Sequence, residues 1–461
     1  MRAKAIRYAA SQAWVQGRWA KDVLLEVDAS GHWSRITTDA APDTVRDAVC
    51  LAGPVLPGVV NAHSHAFQRA IAGMTEQGAP HGHDNFWSWR ERMYAVAQRI
   101  TPDQLEAIAT LLYTELLTGG YTQVCEFHYL HNACAHAPQA SALEMSMALV
   151  RAAQRSGIGL TLLPTLYMRS GFAADGLRPD QQRFASTPDS IARLVQDVQA
   201  STRGMSHVNL GVALHSLRAV TPQALAQLSG FSDAQGLPIH IHIAEQPQEV
   251  QDCIAQTGQR PIEWLLSHAQ LHARWNLVHA THATQTELDG VRASGASIVI
   301  CPSTEANLGD GVFDYGGYCA QGGSWSVGSD SHVSRAWNEE LRLLEYGQRL
   351  TRGQRNVAAQ SGASKSSAAN MLQALLQSGQ AATALPLGGL KVGQRADFVV
   401  LDAVSPAMCG LPSAHVLDAH VFSSPGSLPL AIAVGGRVIA TPLRGRVVQD
   451  FAHTLQDLLA H

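Results

Sequence analysis

The stretch Leu56-Pro57-Gly58-Val59-Val60-Asn61-Ala62-His63-Ser64-His65 decides how this chain is read. Its apolar start predicts a short buried strand, and the strand's carboxyl end carries two histidines one residue apart, so that both rings face one side. Two imidazoles on one side form a grip for a divalent metal. In a chain with 21 histidines such a pair also arises as ordinary buried structure, so the reading turns on the downstream sequence.

Downstream, the chain alternates. Apolar runs recur at Val59 to Ala62, Tyr121 to Cys125, Ile158 to Leu163, Val208 to Leu214, Leu237 to Ile243, Trp275 to Val278, Ala296 to Cys301 and Trp325 to Val327, each separated from the next by a segment long enough for a helix. Helix starts are signed by Thr101-Pro102-Asp103-Gln104, Thr187-Pro188 and Thr221-Pro222, a hydroxyl at the N-cap followed by proline in the first turn. Eight strands with crossovers predict an α/β fold, a (β/α)8 TIM-like barrel; the alternation alone also admits an open doubly wound sheet.

The two ends of the chain read differently. Short strands separated by turns at Ala3 to Tyr8, Asp22 to Val27, Trp33 to Thr37 and Ala48 to Leu51 are matched far downstream by Ala396 to Asp402, Leu430 to Val434, a Gly435-Gly436 turn and Arg437 to Ile439. They predict one small β domain built from residues 1–56 and 384–461, with a docked terminal helix from Phe451 to Leu459 and the barrel of residues 57–383 inserted between its halves.

Reading the carboxyl end of each barrel run gives His63 and His65, Glu126 and His128, Pro164 to Tyr167, His215 and Arg218, His242 and Glu245, His279, then Thr304, Glu305 and Asn307, and last Asp330 and His332. That rim is where a barrel builds its site, and scatter would not load it so evenly. His63, His65, His242 and Asp330 suit one divalent metal, Zn²⁺ by preference and Fe²⁺ as an alternative. Glu245, three residues past His242, is placed to move a proton from an activated water to a leaving group, although a carboxylate there also suits a helix start. His279 is open between a fourth ligand, a group orienting a ligand and one polarising the substrate, with the last preferred. His240 reads as core or as support for a ligand, and His332 as support or plain structure.

His63-Ser64-His65, His242 with Glu245, His279 and Gly328-Ser329-Asp330 together resemble the amidohydrolase superfamily, and Leu390 to Leu401 resembles its return into the small domain. Asn61 to Ala70, Phe86-Trp87-Ser88-Trp89-Arg90, Glu126-Phe127-His128-Tyr129-Leu130-His131, His215-Ser216-Leu217-Arg218 and Cys301 to Gly311 are similar to the branch of that superfamily that hydrolyses N-formimino-L-glutamate to N-formyl-L-glutamate and ammonia in histidine degradation. The resemblance implies water activated on one metal, Glu245 shuttling its proton, and His279 and Asp330 assisting. It also implies that Gln68, Arg90, Tyr129, His215 and Arg218 hold a small dicarboxylate, with the two arginines on its charges. A homodimer is the expectation from the same likeness.

Composition narrows the classes further. With 461 residues, 46% hydrophobic and 15% charged, the chain can bury a large core, and no long uncharged apolar run predicts a membrane span. A net charge of -4 with scattered basic residues offers no footprint for nucleic acid. Seven dispersed cysteines without a Cys-x-x-Cys, and no secretory leader at Met1 to Ile6, predict reduced thiols in a cytoplasm. The only lysines are Lys4, Lys21, Lys365 and Lys391, so no barrel strand can offer the carbamylated lysine that bridges two metals in binuclear superfamily members. Glu126 is the nearest substitute bridge. The aromatic run Phe86 to Glu91 reads as a loop that shuts water out, since no basic run accompanies it to track a phosphate backbone. A zinc-dependent deaminase of a purine, pyrimidine or related cyclic amidine is the rival reading. A non-catalytic barrel is a weaker one, because it has no use for Glu245 beside a full ligand set.

Overall fold

The computed structural model describes residues 6–78, 84–360, 362–424, 426, 428–440 and 445–460. Eight parallel strands form the barrel: β1 (Val59–Ser64), β2 (Tyr121–His128), β3 (Gly159–Leu166), β4 (Val212–Ser216), β5 (Ile239–Ile243), β6 (Trp275–His279), β7 (Ser297–Ile300) and β8 (Trp325–Val327). Each pairs with its successor in sequence order, which the open-sheet alternative does not permit. The ring is joined by a bridge between Ser64 and Asp330, where Asp330 N donates to His63 O at 3.1 Å and His65 N to Asp330 O at 3.2 Å. The seam of the barrel is therefore the His63-Ser64-His65 stretch itself, joined to Asp330. Gly328 permits this closeness, because a Cβ there would stand 2.5 Å from His63 Cβ.

Two predicted runs are divided. Leu56 to Val60 breaks at Gly58: Val55–Pro57 pairs antiparallel with Phe398–Val400 in the small sheet, and only from Val59 does the chain enter the barrel. The fourth run breaks at Gly211, where a side chain would meet Leu163 Cδ2 at 2.5 Å and Pro238 O at 2.7 Å; Val208–Leu210 pairs with β3 before β4 begins. Apolar continuity hides such breaks, since the interruption is steric.

The small sheet runs in the order Arg437–Ile439, Ala431–Val434, Phe398–Val400, Val55–Pro57, Ile6–Val15, Arg18–Val27, Trp33–Thr37, with Val49–Leu51 beside the Ile6 strand. Both ends of the chain thus build it, around Tyr8, Leu25, Trp33 and Phe398. Ala3 to Ala5 of the predicted first strand lie outside the described residues. Arg395 ties this sheet to the barrel: it donates to Asp397 Oδ2 at 2.6 Å, to Gln123 Oε1 at 2.8 Å and to Thr122 O at 3.3 Å, all buried. The terminal helix is longer than predicted, Arg446–Leu459. Among the described residues no helix is long and apolar enough to cross a membrane.

Helices α1 (Phe86–Ala97) and α2 (Pro102–Thr118) follow β1. The capping box predicted at Thr101 and Gln104 is present, and Thr187 and Thr221 cap their helices as their sequence pattern requires. Phe86 to Glu91 is not the predicted loop but the first turns of α1, capped by Asn85, whose side chain accepts from Trp87 N and Ser88 N.

Candidate metal centre and substrate cavity

His63, His65 and His242 come together from β1 and β5, their Nε2 atoms separated by 3.1, 3.3 and 2.9 Å. Three ring nitrogens at this spacing match the edge of a tetrahedron with bonds of about 2.0–2.1 Å, the lengths typical of zinc and imidazole. The other ring nitrogens set the tautomers. His65 Nδ1 donates to Phe127 O at 3.0 Å and His242 Nδ1 to His215 O at 2.9 Å, which leaves the Nε2 lone pairs of these two rings facing each other. Facing lone pairs call for a cation. Burial drives all three rings toward the neutral ligand form, His63 to about 3 with the charge of His65 adding to the effect. Asp330 Oδ1 lies 3.4 Å from both His63 Nε2 and His65 Nε2. Its burial would raise the carboxyl pKa, but the His63 hydrogen bond and the nearby imidazoles hold it well below the usual range. The chain therefore carries a buried histidine cluster, with a carboxylate beside it, able to hold a divalent metal.

Glu245 and His279 stand next to this cluster. His279 Nε2 lies 3.7 Å from Glu245 Oε1 and 3.8 Å from Asp330 Oδ2, while its Nδ1 lies 3.2 Å from Glu305 Oε1. Three carboxylates around one imidazole outweigh its burial and raise its pKa. Burial, with Asp330 nearby, pushes Glu245 up to about 7, where a carboxyl can both accept and return a proton near neutrality. The backbone N–H of Glu245 is held by Glu249 Oε2 at 3.1 Å. Ala244, His279 and Asp330 all adopt positive φ, of 51°, 70° and 45°. Backbone strain of this kind is held where the surrounding structure over-determines it, here at the ends of the fifth, sixth and eighth barrel strands.

A narrow cavity opens onto these groups and is lined by Gln68, Arg90, Tyr94, Tyr129, His215 and Arg218 as well as His65, His242, Glu245, His279 and Asp330. Gln68 Nε2 donates to the Tyr129 hydroxyl at 3.2 Å, and the His215 ring packs on Tyr167 at 4.3 Å. The guanidiniums of Arg90 and Arg218 lie against the Trp87 ring, at 4.4 and 5.5 Å from its centroid. Among the described residues neither guanidinium has a carboxylate or a hydrogen-bond acceptor, and each has a buried, unpartnered Nε. Burial lowers the Arg90 pKa, and the Arg218 charge adds to that against the opposing effect of Tyr94. Two cations with no ion-pair or hydrogen-bond partner among the described residues border one cavity.

Other rim residues are engaged elsewhere. Glu126 Oε1 accepts from Ala66 N at 2.6 Å, and its Oε2 accepts from Ser64 Oγ at 2.7 Å and Tyr113 OH at 3.2 Å. It braces the His63-Ser64-His65 turn and is spent as a bridge. His240 bonds Ala382 O at 2.9 Å, His332 bonds Ser329 Oγ at 3.0 Å, and Asn307 Nδ2 donates to Glu76. His128 packs beside His131 and does not line the cavity. His279, Cys301 and Glu305 also cluster, but Glu305 Oε1 is already taken by Cys301 N at 2.8 Å and by His279.

The sequence model of the amidohydrolase family matches residues 55–439. The chain is 42% identical over 456 residues to the formimidoylglutamate deiminase of Pseudomonas aeruginosa, covering 98% of this chain and 99% of that protein. Among solved structures, an amidohydrolase from Brucella melitensis is 40% identical with a TM-score of 0.90, covering 98% of this chain and 100% of that one. An adenosine deaminase from Xanthomonas campestris with bound zinc has a TM-score of 0.81 at 19% identity, covering 99% of each chain, a likeness of fold alone.

Proposed function

From the premise that the chain belongs to the amidohydrolase family, as a metal-dependent hydrolase, we propose that it converts N-formimino-L-glutamate and water to N-formyl-L-glutamate and ammonia. The observation that carries the choice of substrate is the pair of unpartnered guanidiniums, Arg90 and Arg218, on the cavity that holds the histidine cluster. A neutral nucleobase gives them nothing to pair with; a dicarboxylate gives each a charge-assisted, forked acceptor. The 42% identity to a formimidoylglutamate deiminase supports the same choice.

His63, His65, His242 and Asp330 would hold one divalent cation, zinc by preference. The single-ion reading is supported by the lack of any lysine from β1 through β8 and by the engagement of Glu126 elsewhere. Such an ion supplies Lewis acidity that brings the pKa of water toward neutrality. Arg90 and Arg218 fix the two carboxylates, and Gln68, Tyr129 and His215 shape the wall between them and the histidines. Glu245 accepts a proton from the water that adds to the formimino carbon and returns it to the departing nitrogen, while Asp330 takes the remaining hydroxyl proton of the adduct as the carbonyl forms and passes it to the same nitrogen. His279, beside both Glu245 and Asp330, donates to the developing charge on the adduct. The nitrogen leaves as ammonia and the carbon keeps the water's oxygen as the formyl group. Seven cysteines, all unpaired, support a reducing compartment such as the cytoplasm. Ammonia release from N-formimino-L-glutamate, compared with release from neutral cyclic amidines, tests this reading.

A further inference from the structure

Tyr94 on α1 and Tyr167 beyond β3 are both buried, with their hydroxyls 3.2 Å apart. Gln181 Nε2 lies 3.4 Å from the first hydroxyl and 3.1 Å from the second. The direction of that amide is fixed, because its Oε1 accepts the backbone N–H of Arg178 at 3.1 Å. Its nitrogen end therefore donates one hydrogen to each phenol oxygen. Two phenolic protons remain to be placed. One bridges the two oxygens, and the other has no acceptor among the described residues. Of the two tyrosines only Tyr94 borders the cavity. The arrangement that wastes nothing has Tyr167 donating to Tyr94, with the Tyr94 O–H left to donate into the cavity.

The position of that donor says what it meets. Tyr94 is four residues from Arg90 on α1, so the two share a helix face, and Arg90 Cζ lies 5.5 Å from the Tyr94 ring centroid. A buried hydroxyl proton beside an unpaired guanidinium is matched by one partner type, an anion with more than one acceptor oxygen. We propose that Tyr94 is a further carboxylate-binding residue, donating to the same substrate carboxylate as Arg90, with Tyr167 and Gln181 holding its hydroxyl in the donating orientation. The identity of the substrate rests on the function proposed above; the claim that Tyr94 recognises a carboxylate does not.

Tyr94→Phe in the zinc-loaded protein should raise KM for N-formimino-L-glutamate about ten- to hundredfold, the scale of a hydrogen bond to a charged group, with kcat and metal content little changed. Tyr167→Phe keeps the Tyr94 hydroxyl and should raise KM less, about threefold. N-formiminoglycine and N-formimino-4-aminobutyrate each lack one carboxylate, and toward one of them Tyr94→Phe should cost almost nothing further. A KM within twofold of the native value, or an equal loss toward all three compounds, overturns the proposal. So does an equal penalty for both phenylalanine variants that tracks a drop in Tm, since that is what a purely structural pair would give. Should the native protein release no ammonia from N-formimino-L-glutamate, the substrate reading fails while calorimetry with glutarate still decides this one: weaker binding by Tyr94→Phe upholds it and unchanged binding refutes it.

Discussion

Asp330 meets His63 twice: its backbone N–H donates to the His63 carbonyl at 3.1 Å, and its carboxylate Oδ1 lies 3.4 Å from His63 Nε2. Closure of the barrel and the gathering of this proposed ligand set are thus one structural event. Asp330→Asn keeps the backbone bond and removes the anion. The fold should survive, by circular dichroism, while metal affinity falls and turnover drops by more than about 10²-fold, the scale of a lost proton-handling group. Native turnover in this variant would place both roles elsewhere.

Glu126 fixes the turn that presents the two histidines, through Ala66 N, Ser64 Oγ and Tyr113 OH. Glu126→Leu leaves three buried donors without their acceptor, each costing about 1–3 kcal/mol. Metal affinity, measured against a competing chelator, should fall about 10- to 100-fold although no ligand has been touched.

Glu245→Gln preserves size and the backbone bonds to Glu249 but cannot carry a proton. Metal content should stay near native and kcat should fall about 10²–10⁴-fold. A variant with near-native kcat would move the role to His279.

Glu340 is fully buried, accepts from Ser303 N at 2.9 Å and Ser303 Oγ at 2.6 Å, and is pushed up to about 8 by its burial. Between about 4.5, its ordinary value, and about 8 the folded chain holds a proton that the unfolded chain has released. Stability contributed by this group therefore falls as pH rises through that window. Glu340→Gln, with the same metal loading, should flatten that part of the curve of unfolding free energy against pH; an unchanged slope would show that Glu340 is ionised when folded.

Much of this was legible in the residues because strand periodicity is rigid: a polar residue at the end of a buried run has one rim to go to, so His63, His65, His242 and Asp330 could be gathered without coordinates. What stayed hidden depended on direction or on distant partners. Glu126 sits on the same rim, yet Tyr113 on α2 and the turn after β1 draw its carboxylate away from the metal centre. Arg90 was legible as a cation at the cavity but not as a helix residue, because aromatic residues weaken helix propensity and Asn85 with Ser88 is a faint start signal. With α1 unseen, the Arg90 and Tyr94 pairing was invisible. Tyr94, Tyr167 and Gln181 carry no motif; only folding brings them together. The signal that could have found Tyr94 was its spacing of four from Arg90.

The central claim is that two cationic side chains make this cavity a dicarboxylate site, and the most direct measurement is kcat/KM for ammonia release from N-formimino-L-glutamate by the native, Arg90→Ala and Arg218→Ala proteins at equal metal content. A desolvated charge pair broken by truncation costs about 2–5 kcal/mol, so each variant should lose roughly one and a half to more than three decades, at about 1.4 kcal/mol per decade. The native protein should form one N-formyl-L-glutamate per ammonia. Little or no turnover of this compound, together with efficient ammonia release from a neutral cyclic amidine that neither arginine variant impairs, would contradict the account.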